Sequence, residues 1–140
     1  MEIRLEKLTK VFTDKTGKET RAVDDLTITI PSGKLIGLLG PSGCGKSTTL
    51  FMIAGLHKHS GGKIFFGDDD VTRLAPEKRG IGLVFQNYAL FPHMTVAENI
   101  AFGLEIRNIN ILQKKQRVQE LLQLMQLDQF IDRYPSELSG

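Results

Sequence analysis

The sequence predicts an α/β fold in which a strand-rich first half gives way to a helical second half. Three observations lead there. Residues 3–12 and 22–30 alternate between apolar and polar side chains, the period of strands with one wet face. A glycine-rich loop at residues 40–47 lies between a short apolar run and a helix-like stretch. Further on, Val118, Leu121, Leu122 and Met125 recur at the spacing of one helical face.

The elements follow in order. Ile3, Leu5 and Leu8, then Val11 and Phe12, mark a first strand, and the polar stretch 13–20 with Gly17 makes a turn. Leu26, Ile28 and Ile30 alternate with Thr27 and Thr29, so the two strands read as an antiparallel hairpin. Pro31-Ser32-Gly33 turns the chain into residues 35–39, an almost wholly apolar run expected of a strand buried on both faces. After the glycine loop, residues 47–54 read as a helix stopped by Gly55. Residues 63–66 and 80–85 are expected strands. The acidic link between them, Asp68-Asp69-Asp70, reads as a hairpin turn, because adjacent carboxylates do not converge on one ion without a dedicated loop. Thr95 with Glu98 has the capping-box pattern of a helix start. Residues 111–126 form an amphipathic helix, with Lys114-Lys115 on its solvated face. The change of character near residue 87 divides the chain into 1–86, holding the loop and the antiparallel strands, and 87–140, mostly helical.

Composition narrows the classes. With 140 residues, 41% apolar and 24% charged, the chain has the balance of a globular protein. A net charge of +2 gives no argument for nucleic acid or anionic lipid, and no nucleic acid partner is expected. The single cysteine, Cys44, excludes an internal disulfide and fits a reducing compartment. No apolar run approaches the roughly 18 residues of a membrane span. The N-terminus lacks the apolar stretch of a signal peptide. The expected location is cytoplasmic, with any membrane link made through a partner protein.

Gly40-Pro41-Ser42-Gly43-Cys44-Gly45-Lys46-Ser47 fits G-x-x-x-x-G-K-[ST]. Such glycines let consecutive N–H groups point at phosphate oxygens, and a helix beginning at Lys46 adds its N-terminal dipole. Lys46 is placed to reach β- and γ-phosphates, Ser47 to ligate Mg²⁺, and Thr48 to donate near the α-phosphate. Cys44 reads as a small filler within the loop. Chance would produce the four fixed positions somewhere in such a chain on the order of 1% of the time.

Three further stretches carry a family resemblance. Gly80-Ile81-Gly82-Leu83-Val84-Phe85-Gln86-Asn87-Tyr88-Ala89-Leu90-Phe91-Pro92-His93-Met94-Thr95-Val96 closely resembles the Q-loop region of ABC ATPases. Residues 61–79, with Asp70-Val71-Thr72 and Pro76, look like the link that precedes it. Leu138-Ser139-Gly140 looks like the first letters of the LSGGQ signature. Order and spacing are those of an ABC nucleotide-binding domain over the whole chain.

The resemblance implies a P-loop NTPase core, an antiparallel β subdomain and the start of a helical subdomain, with ATP and Mg²⁺ as cofactors. It puts Phe12 at the adenine-stacking position, where the family usually has tyrosine; phenylalanine keeps the π face. It assigns the triphosphate to Gly40, Pro41, Ser42, Gly43, Cys44, Gly45, Lys46, Ser47 and Thr48. Lys46 and Gln86 take catalytic roles, and Ser47 and Gln86 approach the metal and the attacking water. Residues 86–95 would line the groove for a transmembrane permease subunit. Ser139 and Gly140 would cap the γ-phosphate held by a second nucleotide-binding subunit in a head-to-tail dimer. The stretch from Phe91 to Ile100 looks most like the sugar, polyamine and osmolyte importer branch. The implied function is the energy-coupling subunit of an importer, peripheral on the cytoplasmic face of the membrane.

Some family parts are missing from these residues. No apolar run ending in Asp-Glu follows, so neither a Walker B aspartate nor a catalytic glutamate is present. His57, His59 and His93 are out of place for the switch histidine and read as surface or loop residues. The chain is therefore expected to be the front of a longer ATPase, inactive alone, with apolar surface exposed where central parallel strands would lie. Two alternatives stay open: a soluble ABC ATPase acting on DNA or the ribosome, and a non-catalytic nucleotide-binding module.

Overall fold

The computed structural model describes residues 1–107 and 109–138. Two compact units, Met1–Leu83 and Val84–Gly140, make up the chain.

In the first unit the alternating runs pair as their pattern requires. Strand β1 (Ile3–Thr13) lies antiparallel to β2 (Glu19–Ile30), with Ile3 opposite Ile30 and Leu5 opposite Ile28. Asp14 organises the turn between them. Its Oδ1 accepts from the Thr16 hydroxyl at 2.6 Å, the Thr16 N–H at 2.8 Å and the Lys18 N–H at 3.0 Å. These donors, the Thr16 hydroxyl foremost, hold the carboxyl below the usual carboxylate range. On its other edge β1 pairs antiparallel with β3 (Gly61–Phe66), which pairs with β4 (Asp69–Asp70). The sheet order is β2-β1-β3-β4, and the acidic triplet belongs to the β3–β4 hairpin.

Helix α1 (Lys46–Ile53) covers the sheet. Leu5, Leu8, Val23, Ile64 and Phe66 pack with Met52 and Ile53 of the helix in one buried cluster. Burying each such large side chain stabilises the fold by about 1.5–3 kcal/mol.

Two expected strands do not form. Residues 35–39 and 80–85 have no strand assignment, and Leu35 and Leu39 are 101% and 95% exposed. Val84 is 83% exposed. The reason is the lack of a neighbouring strand: a buried strand needs a ladder beside it, and among the described residues neither run pairs with one.

A residue with no signal in the sequence closes α1. Arg79 is buried, and among the described residues its guanidinium donates only to backbone carbonyls. Nη1 reaches Met52 O at 2.9 Å and Ile53 O at 2.8 Å, Nε reaches Leu74 O at 2.9 Å, and Nη2 reaches Thr72 O at 3.2 Å. A cation at the C-terminal end of a helix satisfies its orphan carbonyls and complements its dipole.

In the second unit, α2 (Val96–Ile106) starts with the expected capping box. Thr95 Oγ1 accepts from the Glu98 N–H at 3.3 Å, and the Thr95 N–H donates to Glu98 Oε2 at 2.7 Å. Helix α3 (Ile111–Leu124) starts on Asn110, whose Oδ1 accepts from the Leu112 N–H at 2.8 Å. Val118 and Leu122 of α3 are buried with Val96, against Ile100 and Leu104 of α2. Lys115 is exposed as expected. Lys114 is not fully solvated: half-buried, its Nζ pairs with Glu105 Oε1 at 2.8 Å, linking α3 to α2. Among the described residues no helix is long and apolar enough to cross a membrane.

Candidate functional site

Residues 40–47 lie wholly in the first unit and end in α1. Gly45 is the hinge. It adopts φ 92°, ψ 0°, a left-handed conformation that a side chain resists, and a Cβ there would lie 2.3 Å from the Ala22 carbonyl oxygen. Only glycine lets β2 pass this close beneath the loop. Thr49, one turn into α1 and buried, fixes the hinge from within. Its hydroxyl donates to Gly45 O at 3.0 Å and its N–H to the same oxygen at 2.8 Å.

Gly45 is also the N-cap of α1, and no side chain caps the helix. The first turn contains no acidic residue, so α1 carries no carboxylate of its own to complement its N–H groups and positive dipole end. Lys46 Nζ donates to Gly40 O at 2.8 Å and Pro41 O at 2.7 Å, and lies 3.4 Å from Cys44 Sγ. Every one of these partners is neutral. Ser47 is exposed, and among the described residues no group bonds its hydroxyl; Cys44 is exposed and Thr48 half-buried.

This donor set fits a magnesium-bound polyphosphate. An ammonium with no counter-ion among the described residues and an uncapped helix start both favour an anion. One hard hydroxyl oxygen suits Mg²⁺, which takes few protein ligands beside phosphates and water.

Phe12, near the end of β1, is 39% exposed, so its ring can meet a ligand. Lys10 Nζ sits 4.7 Å from its centroid, an exposed cation–π contact worth about 0.5–1 kcal/mol. His57 lies in the loop after α1, within the surface-or-loop expectation; it is half-buried and meets both Phe12 and Phe51 edge to face. His59 is half-buried too, and burial, then the charges of Arg79, Arg73 and Lys10, lowers its pKa.

Gln86 belongs to the second unit, with an exposed side chain. The turn that follows is strained: Tyr88 and Ala89 take φ 59° and 50°, a left-handed pair costing roughly 1–2 kcal/mol per residue. Tyr88 is 75% exposed and Leu90 52%. The Phe91 ring packs on Phe102 at 4.3 Å between centroids.

Asn99, in α2, holds the next stretch. Its Oδ1 accepts from the Phe91 N–H at 2.9 Å. Its Nδ2 donates to Phe91 O at 3.2 Å, Met94 O at 3.0 Å and Thr95 O at 2.9 Å. The only hint in the sequence is an asparagine inside a helix, where its propensity is poor and its side chain seeks backbone partners. The expected contacts of Ser139 and Gly140 lie outside the described residues.

A glycine hinge, a lysine turned back into its own loop and an open helix start beside a sheet define a P-loop nucleotide-binding fold. The chain belongs to the ABC transporter family, whose family model matches residues 23–140. It is 52% identical over 140 residues to a probable sulfate/thiosulfate import ATP-binding protein, CysA, of Chlorella vulgaris, covering 100% of this chain and 57% of that protein. It is 47% identical over 138 residues to the diacetylchitobiose uptake system ATP-binding protein MsiK of Streptomyces coelicolor, covering 99% of this chain and 36% of that one. The chain thus spans between 36% and 57% of the length of these relatives. Among solved structures, a dimeric ATP-binding cassette in a post-hydrolysis state, bound to ADP and Pi, superposes with TM-score 0.86 at 27% identity. The match covers 99% of this chain and 63% of that one.

Proposed function

We propose that this chain is the nucleotide-gripping part of the ATP-binding, energy-coupling subunit of an ABC importer. The observation that carries the reading is the Lys46 ammonium, held only by neutral atoms at the mouth of an uncapped helix. Its two contacts to neutral carbonyls would be exchanged for contacts to anionic β- and γ-phosphate oxygens, which add ion-pair attraction to the hydrogen bond. The amides of Ser42 to Gly45 and the start of α1 bind and orient the phosphates. Thr48 donates near the α-phosphate, Ser47 offers its hydroxyl to Mg²⁺, and Phe12 stacks on the adenine. Bound MgATP supplies the phosphoanhydride whose hydrolysis drives transport in the full-length head-to-tail dimer.

Gln86 is assigned to the metal and the attacking water. Residues 86–95, with the strained pair Tyr88 and Ala89 and the exposed Leu90, are assigned to the permease partner. Ser139 and Gly140 serve the second subunit's nucleotide. The named relatives are import proteins, which favours the importer reading over a soluble ATPase working on DNA or ribosomes. A membrane-peripheral location follows from that reading.

Nucleotide titration of the complete gene product tests the core of this. Lys46→Ala is expected to weaken MgATP binding at least ~10-fold, since a charge-assisted bond contributes about 1.5–3 kcal/mol. Unchanged affinity sinks the assignment. The 140 residues alone are expected not to release phosphate from ATP; release that Lys46→Ala abolishes would overturn that expectation.

A further inference from the structure

His57 joins the two ends of the proposed nucleotide site. Its imidazole meets the Phe12 ring at 5.8 Å between centroids and 82° between planes. It meets Phe51 at 5.3 Å and 79°. Phe12 stands on β1, whereas Phe51 stands on α1, the helix that grows out of the phosphate loop. The backbone around His57 is fastened to both elements. Its N–H donates to Phe51 O at 3.1 Å. Just beyond, the Ser60 N–H donates to Thr9 O at 2.8 Å and Ser60 Oγ accepts from the Val11 N–H at 2.9 Å. Residues 57–60 therefore form a strap from α1 to β1, with the imidazole at its ring-bearing end.

We infer that His57 is a positioning residue for base recognition: through Phe12 it sets where the purine stacks relative to the phosphate grip. This rests on the reading of Phe12 as the stacking ring. A partly exposed aromatic near a strand end keeps rotamer freedom, which a stacking base would otherwise have to remove on binding. Edge-to-face contact with a fixed imidazole removes it beforehand. The contact needs an aromatic edge, so phenylalanine can stand in for histidine at this position.

The experiment compares two ligands on the complete gene product: ATP, and inorganic tripolyphosphate, which has no base. His57→Ala is expected to weaken ATP binding about 3- to 10-fold, the scale of aromatic pair contacts, and to leave tripolyphosphate affinity unchanged. His57→Phe is expected to restore ATP binding. Equal weakening of both ligands, or ATP affinity unaffected by His57→Ala, overturns the inference. If Lys46→Ala weakens ATP binding while His57→Ala does not, this inference fails alone. If Lys46→Ala leaves ATP binding intact, the nucleotide-site reading fails and takes the inference with it.

Discussion

Strand β1 and residues 35–39 are built from similar apolar side chains, yet one is inside the sheet and the other stands in solvent. β1 has β2 on one edge and β3 on the other, and its Leu5 and Leu8 are 0% exposed. Leu35 and Leu39 have no ladder among the described residues and are almost fully exposed. Composition supplies a face that wants covering, but only a neighbour supplies the hydrogen bonds that make a strand. Residues 80–85 repeat the lesson, with only Ile81 packed against the core.

Core truncation gives the largest test of that contrast. In the 140-residue chain, Leu5→Ala is expected to cost about 2–5 kcal/mol in urea unfolding. Leu39→Ala should stay within about 0.5 kcal/mol. Equal losses would mean that residues 35–39 are packed after all.

A second experiment asks whether a side chain can replace a ladder. Arg79 donates to the carbonyls of Ile53, Thr72 and Leu74, and to that of Met52, which also accepts from the Gly55 N–H at 3.1 Å. Arg79→Met should destabilise by at least about 2 kcal/mol, because the Ile53, Thr72 and Leu74 carbonyls lose this charged donor. Arg79→Lys should recover only part, since a single ammonium cannot reproduce the guanidinium fork. Full recovery by lysine would reduce the residue to a simple charge.

Smaller again is the helix cap of the second unit. Thr95→Ala is expected to cost about 1 kcal/mol, and Thr95→Ser almost nothing. A null result for alanine would show that α2 is held by packing alone.

The smallest effect is in pH. Burial lowers the pKa of His59, so the unfolded chain takes up its proton first as pH falls. The contribution of His59 to stability is therefore present above the ordinary histidine value of about 6.5 and is lost as pH drops through the lower folded value. His59→Asn should flatten the stability curve in that range. An unchanged slope would assign the pH response to other groups.

What the sequence disclosed was local. The hairpin, α1, the glycine loop and the Thr95–Glu98 box depend on residues a few positions apart, and each stands where its pattern put it. Residues 35–39 and 80–85 were misread because strand formation depends on a distant partner. Arg79 was invisible because its acceptors on α1 lie 26 and 27 residues away. The loop motif told that Gly45 must turn, but not that the Ala22 carbonyl would press against it. The ring contacts of His57 and the backbone bonds of Asn99 are not legible in the sequence for the same reason: their partners are set by the fold.

Asn99 spends its one amide on three separate backbone positions of the preceding stretch. Residues 91–95 and the first turn of α2 consequently behave as one stiff elbow. A shove on the Phe91 side would swing the helix axis instead of crumpling the bend, giving that corner the mechanics of a crank.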